Sequence, residues 1–255
     1  MAKLKKITSL IVLAACLVAT PAMASGGGTH MEAADIDPGN TSSLQRGARN
    51  FMNYCSGCHS ARYVRFNTIG KYLGLSEEEL VDNLMFNAEK TFDTIQSSMP
   101  ASDALRWYGT APPDMSLMAR AKGADYIYNF LKGFYLDPDS PTGVDNTVLA
   151  GTSMPHVLWE LQGYQKAHFS EHVETNSDGS TTTTHEFEKF ELVSTGKLDV
   201  EEYESFVRDT VNFLAYIAEP IRAERRKLGT WVLIYLLVFL IIARMLKKQI
   251  WKDVK

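Results

Sequence analysis

The chain has 255 residues, with 26 Lys or Arg against 30 Asp or Glu, a formal charge of −4, 45% hydrophobic residues and three cysteines. Between two apolar ends lies a stretch of ordinary single-domain size, large enough to bury a core and without internal repeat. When the three leader lysines and the nine basic and two acidic residues from Arg222 onward are set aside, that stretch keeps 14 basic and 28 acidic groups, a charge of −14; this excludes nucleic acid and favours a basic partner, since opposite fields speed encounter.

In chain order, Lys3, Lys5 and Lys6 precede an apolar run from Ile7 to Ala19, and Ala22-Met23-Ala24 then offers a small-residue cleavage site before Ser25. This is the pattern of a secretory signal peptide over residues 1–24, so the mature chain is expected to leave the cytoplasm. A competing reading takes Leu13-Ala14-Ala15-Cys16 as a lipoprotein box. The apolar run continues past it through Leu17, Val18 and Ala19, which favours the later site.

A helix is expected next. Ser42 and Gln45 match a capping box, and Leu44, Gly47, Ala48, Phe51, Met52 and Cys55 recur on one helical face. Gly47 costs stability relative to Ala unless another backbone passes close by. The candidate neighbour is the stretch Asp199 to Ala218. It opens with the capping pair Asp199 and Glu202, carries Tyr203, Phe206, Val207, Thr210, Leu214 and Ile217 on one face, and stops before Pro220.

The first helix runs into Cys55-Ser56-Gly57-Cys58-His59, the spacing that covalent haem attachment requires. Two thiols add across the vinyl groups of one porphyrin edge while the imidazole turns under the ring to the iron. The alternatives are a zinc site, a redox dithiol and a structural disulfide. Zinc wants a second ligand pair, and the only other cysteine, Cys16, lies in the leader. A redox dithiol normally follows a strand and needs no histidine at the next position. One motif implies one haem.

Further along, Ser76 to Ala88 reads as a helix with a Ser76/Glu79 capping box, and Ala124 to Phe134 as another. From Ala167 to Leu192, Val173, Thr175, the turn Asn176-Ser177-Asp178-Gly179, a threonine run, Phe187 and Phe190 predict a β-hairpin. Near the end, Leu228 to Ala243 is almost continuously apolar, broken at Arg244 and resumed by Met245 and Leu246. With roughly 20 residues needed to cross a bilayer, residues 222–248 read as a transmembrane anchor. Basic residues flank both sides, so orientation follows from the exported N-terminus, and the tail 249–255 is expected in the cytoplasm.

His59 alone would leave one axial position on the iron. A thioether there is soft and neutral and raises the potential relative to a second imidazole. Two of the ten methionines precede proline: Met99, 40 residues past His59, and Met154, 95 past it in the loop that starts at Ala150. Chain order favours Met154, with His156 as the alternative.

The C-x-x-C-H turn, Ala111-Pro112-Pro113-Asp114-Met115-Ser116, the segment ending Gly133-Phe134-Tyr135, Met154-Pro155-His156-Val157-Leu158-Trp159-Glu160, Phe187-Glu188-Lys189-Phe190-Glu191-Leu192 and the anchor after Ala218-Glu219-Pro220 together resemble the cytochrome c1 family, nearest its proteobacterial branch. The resemblance spans nearly the whole mature chain. It implies a mainly α fold: a c-type cytochrome haem domain over residues 25–221 with a β-hairpin insertion and a C-terminal transmembrane helix. It implies one covalent haem c, held in the periplasm at the bacterial inner membrane. The implied role is that of an electron carrier without catalytic residues, passing electrons from the Rieske iron-sulfur protein to a c-type cytochrome beside the cytochrome b subunit. Family members place the prolines, here Pro112 and Pro113, against the haem, and a basic residue and a tyrosine near a propionate. In this sequence those are Arg120 or Lys122, and Tyr126; Lys122 stands where most relatives have Arg, whose fork suits a carboxylate better than a point charge. The competing functions are a free membrane-tethered cytochrome feeding a terminal oxidase, and a haem peroxidase.

Overall fold

The computed structural model describes residues 31–175 and 181–252; the expected leader and the hairpin turn at 176–179 lie outside the described residues. In chain order the elements are α1 (Thr41–Tyr54), β1 (Ala61–Arg65), α2 (Phe66–Leu73), α3 (Glu77–Leu84), β2 (Thr94–Ile95), α4 (Ala101–Tyr108), α5 (Met118–Lys122), α6 (Ala124–Lys132), β3 (Phe134–Leu136), β4 (Val144–Asn146), α7 (Trp159–Gln162), β5 (Gly163–Thr175), β6 (Thr181–Thr195), α8 (Val200–Ala218) and α9 (Arg222–Ile250). Helices supply the body. The strands form three separate antiparallel ribbons, β1 with β2, β3 with β4, and β5 with β6.

The frame is the crossing of α1 and α8. It occurs at Gly47, where an added Cβ would run into the carbonyl of Asp209 and the Cβ of Phe213. The close approach expected of Gly47 is therefore present, and the partner is the expected helix. Leu44, Ala48, Phe51, Val207, Val211, Phe213 and Leu214 are buried around it; each large apolar side chain so buried contributes about 1.5–3 kcal/mol. A polar tie fixes the crossing angle. The buried Asp209 carboxylate accepts from Ser43 Oγ at 2.6 Å, from Arg46 Nε at 2.5 Å and from Arg46 Nη2 at 2.9 Å.

Two capping boxes stand as expected, Ser76 with Glu79 and Asp199 with Glu202. The third does not. α1 starts two residues earlier because Asn40, a strong N-cap residue, accepts from the Ser43 amide at 3.1 Å. Gln45 instead donates to the carbonyl of Leu73 at 2.8 Å, tying α1 to the end of α2. α3 stops at Leu84 rather than at Ala88, and Asn87 beyond it donates to the Gln96 carbonyl at 2.5 Å. α6 stops at Lys132, since Phe134 is taken into β3 opposite Asn146.

The β5–β6 ribbon is longer than the sequence pattern, running from the pair Gly163 and Thr195 to the pair Thr175 and Thr181 with two register shifts. Its base packs on β3, where Gln165 Nε2 donates to the carbonyls of Lys132 at 2.9 Å and Phe134 at 2.8 Å. α9 is a continuous helix whose segment Glu224–Ile250, 27 residues, contains an 18-residue window with a mean hydropathy of 2.2, none of it buried. At 1.5 Å per residue it is long enough to cross a bilayer as a single-pass anchor.

Candidate cofactor site

The C-x-x-C-H segment is a tight turn continuing α1. The amides of Cys55 and Ser56 both donate to the Phe51 carbonyl at 2.9 Å, and Ser56 Oγ donates to the Met52 carbonyl at 2.7 Å. The amides of Cys58 and His59 then return to the Cys55 carbonyl at 3.1 and 2.8 Å. Cys55 and Cys58 are unbridged thiols. Burial, with Cys58 adjacent, pushes Cys55 up to about 12, and burial raises Cys58 as well, so both are protonated and neutral. Among the described residues no three His, Cys, Asp or Glu side chains converge, so zinc has no ligand set there.

The orientation of His59 is set by one bond. Its Nδ1 lies 2.8 Å from the carbonyl oxygen of Pro113. A carbonyl only accepts, so Nδ1 carries the proton and Nε2 keeps a free lone pair, as a metal-ligating histidine requires. Burial lowers the His59 pKa against the opposing pull of the Pro113 hydrogen bond and Asp114, which favours the neutral ring. The Pro113 segment is itself pinned to the strand after the motif. Met115 donates its amide to the Ser60 carbonyl at 2.7 Å, Arg62 donates its amide to Asp114 Oδ2 at 2.9 Å, and Tyr63 donates its amide to Ser116 Oγ at 3.1 Å.

Cys55, Cys58 and His59 open onto a cleft of about 480 Å³, whose walls also carry Pro112, Pro113, Lys122, Tyr126 and Met154. Arg120 is exposed and is not among the residues that line it. Lys122 Nζ sits 5.4 Å from the Tyr126 ring centroid, and Tyr126 stacks on Phe130 at 6.3 Å. Met99 is also absent from the walls. His156, two residues past Met154, turns away: its ring stacks on Phe134 at 5.0 Å with planes 10° apart and meets Tyr164 edge-on at 6.4 Å. Neither of its buried nitrogens makes a well-formed hydrogen bond, and burial, against a weaker pull from the Gly163 backbone, brings its pKa down to about 4.

Several wall residues were not singled out from sequence as site residues. Phe51, Thr210 and Leu214 were legible only as inner-face positions of α1 and α8, Met115 and Phe130 only as members of stretches that carry the family resemblance, and Tyr54, Met118 and Leu149 carried no pattern that marks a cofactor wall. The cleft has the volume of a cofactor site and mostly apolar walls. It offers a neutral imidazole nitrogen and a thioether sulfur as donors, two thiols at one edge, and a lysine and a tyrosine at its rim. That set suits the apolar faces, soft axial ligation and carboxylate edge of a haem.

A family model described as the Cytochrome C1 family matches residues 36–186 and 194–254. The chain is 44% identical over 246 residues to a protein named cytochrome c1 from Allochromatium vinosum, covering 96% of this chain and 98% of that one. It is 36% identical over 249 residues to a protein named ammonia monooxygenase gamma subunit from Nitrosomonas europaea, covering 98% and 99%. It is 26% identical over 231 residues to the mitochondrial cytochrome c1 haem protein of Saccharomyces cerevisiae, covering 84% and 67%. With these matches along its length, the chain belongs to the cytochrome c1 family, the electron-carrier haem subunits of the cytochrome bc1 complex, which bind one covalent haem c.

Proposed function

We propose that Cys55 and Cys58 carry the two thioether links, that His59 Nε2 and the Met154 sulfur are the axial ligands, and that Pro112 and Pro113 pack on the ring. The observation that carries this is the meeting of the C-x-x-C-H turn and Met154 on one cleft, although 95 residues separate His59 from Met154. His156 takes no part, since its ring is engaged between Phe134 and Tyr164. When bound, haem c supplies a one-electron iron couple. The chain's own work is to hold and tune. The Pro113 carbonyl fixes the His59 tautomer and raises the basicity of Nε2. The apolar walls keep bulk water and competing ligands out. Lys122 and Tyr126 would hold a propionate, Lys122 as a point charge where an arginine would fork; Arg120 is left to solvent.

On this reading residues 1–24 are a cleaved export signal, 25–221 form the periplasmic haem domain, 222–248 anchor it in the bacterial inner membrane and 249–255 face the cytoplasm. Its partners are cytochrome b, the Rieske protein as electron donor and a c-type cytochrome as acceptor. The −14 charge of the exported stretch suits a basic acceptor surface.

The test is a redox-titrated visible spectrum of the complex extracted in mild detergent, with quinol-driven reduction followed in real time. Cytochrome b and the Rieske protein are expected to co-purify. Met154→Leu is expected to abolish the thioether-to-iron absorption and lower the midpoint potential while the pigment stays covalently attached, and His156→Phe to keep both. An unchanged spectrum in Met154→Leu would refute the ligand assignment.

A further inference from the structure

One carboxylate outside the cleft holds the backbone of the loop that brings Met154 to it. Asp145 Oδ1 accepts from the amides of Gly151 at 2.8 Å and Thr152 at 3.2 Å, and Oδ2 lies 3.4 Å from the Tyr135 hydroxyl. Asp145 is a central residue of β4 and pairs with Tyr135 of β3, so the ribbon sets the position of the carboxylate. The next side chain, Asn146, points the other way. Its Nδ2 donates to the Phe130 carbonyl at 2.7 Å and its Oδ1 accepts from the Val148 amide at 2.9 Å. Successive residues of one short strand thus tie the end of α6, which carries Tyr126 and Phe130 on the cleft wall, and the loop that carries Met154 on the same wall.

From this geometry we infer that Asp145 is the positioning residue for the axial methionine: its carboxylate clamps Gly151 and Thr152 so that Met154 is presented to the iron on a loop already ordered. The inference rests on Met154 being the ligand. The physical need is plain. A thioether is a weak, neutral ligand that exogenous bases displace, and every loop residue left mobile adds an ordering cost to re-forming the bond. Hydrogen bonds from backbone amides to an ionised carboxylate are the stronger, charge-assisted kind. Gly151 adopts φ +70°, a backbone state that two anchored amides on Asp145 hold in place. Thr152, one of the two anchored residues, is buried. Burial, then Asp145 and Asp137, push the Tyr135 phenol up to about 12, so it remains a donor to the same carboxylate.

The experiment titrates imidazole into the oxidised full-length protein in detergent and measures loss of the thioether-to-iron band. Deuterium exchange of the 147–155 segment is followed in parallel. Asp145→Ala is expected to tighten apparent imidazole binding by about ten-fold and to speed exchange at Gly151 and Thr152, because two charge-assisted bonds are lost. Asp145→Asn keeps an acceptor oxygen but not the charge, so it is expected to fall between Asp145→Ala and the unsubstituted protein, more than two-fold from the latter. If Asp145→Ala fails to bind haem, Asp145→Asn alone decides. Imidazole affinity within two-fold of the unsubstituted protein in every folded variant overturns the inference, as does faster exchange with no change in affinity, which would make the clamp purely structural. A missing thioether band in the unsubstituted protein signals a different failure, that of the Met154 assignment itself.

Discussion

Replacing Gly47 by Ala sets two opposing effects against each other. Alanine in a helix interior is favoured over glycine by about 1 kcal/mol. Against this, the new Cβ would lie 2.7 Å from Phe213 Cβ and 2.8 Å from the Asp209 carbonyl carbon, and closer still to the Asp209 oxygen. Carbon contacts are comfortable at about 3.5–4.0 Å, so the helix axes must part by about 1 Å. Two of the three obstructing atoms are backbone of α8, and no rotamer change clears them. Parting the axes loosens Ala48, Phe51, Val207 and Val211 together and stretches the Asp209 bonds to Ser43 and Arg46. Overpacking of this kind costs about 1–3 kcal/mol or more; with the crossing obstructed by backbone, the upper end applies and the net loss is about 2 kcal/mol. Urea unfolding of the detergent-solubilised haem protein, followed by the Soret band, should show the midpoint fall by about 1 M, given slopes of about 1–3 kcal/mol per M. Gly57→Ala is the control. It has no neighbour within 4 Å of the added Cβ and should leave the midpoint where it was, even inside the attachment motif. A Gly47→Ala midpoint equal to or above the unsubstituted one would refute the close-approach argument.

Tyr203→Phe leaves the Leu131 carbonyl without the buried hydroxyl that donates to it at 2.9 Å, and should cost about 1–2 kcal/mol in the same assay. Asp209→Ala strips Ser43 and Arg46 of their shared acceptor and should cost about 2–3 kcal/mol, with Asp209→Asn recovering part of it. Burial would push Asp114 up, but hydrogen bonds from Ser116 and Arg62 and the Arg62 charge outweigh it and hold the carboxyl below its ordinary value. A depressed carboxyl stabilises the fold above the unfolded-state pKa of about 3.9, and that contribution is lost as pH falls through the folded value. Asp114→Asn should therefore be less stable than the unsubstituted protein at pH 7, and their unfolding midpoints should converge in acid; a gap that persists unchanged to pH 2 would refute it.

What the sequence made legible were features written in adjacent residues. The C-x-x-C-H motif, two of three capping boxes, the inner faces of α1 and α8 and the long apolar run all follow from local spacing, and the caps, the buried faces and the apolar helix stand in the structure. Ser42 and Gln45 misled because an equally good cap, Asn40, lay two residues upstream, and Gln45 had a tertiary partner in Leu73 that no local pattern announces. The short strands β1 to β4 were invisible for a related reason: two to five residues carry too little periodicity to register, and β1 and β2 pair across a long interval besides. At the site, Met154 and His156 differ by two positions in a loop, and only the packing of Phe134 and Tyr164 around the imidazole shows which of them turns inward. Arg120 and Lys122 are a similar pair: in the structure Lys122 lies over Tyr126 on the cleft wall while Arg120 is exposed. Asp145 had no sequence signal, since the groups that donate to it are backbone amides six and seven residues on.

The two walls of the cleft differ in what they need in order to exist. The cysteine turn is closed by bonds among residues 51 to 59, so it can form before the rest of the chain has folded. The opposite wall needs the β3–β4 ribbon and a loop almost a hundred residues downstream, closures that carry a larger entropic toll. Folding thereby acquires an order in time, with one side of the doorway framed early by the cysteine turn and the methionine loop arriving last.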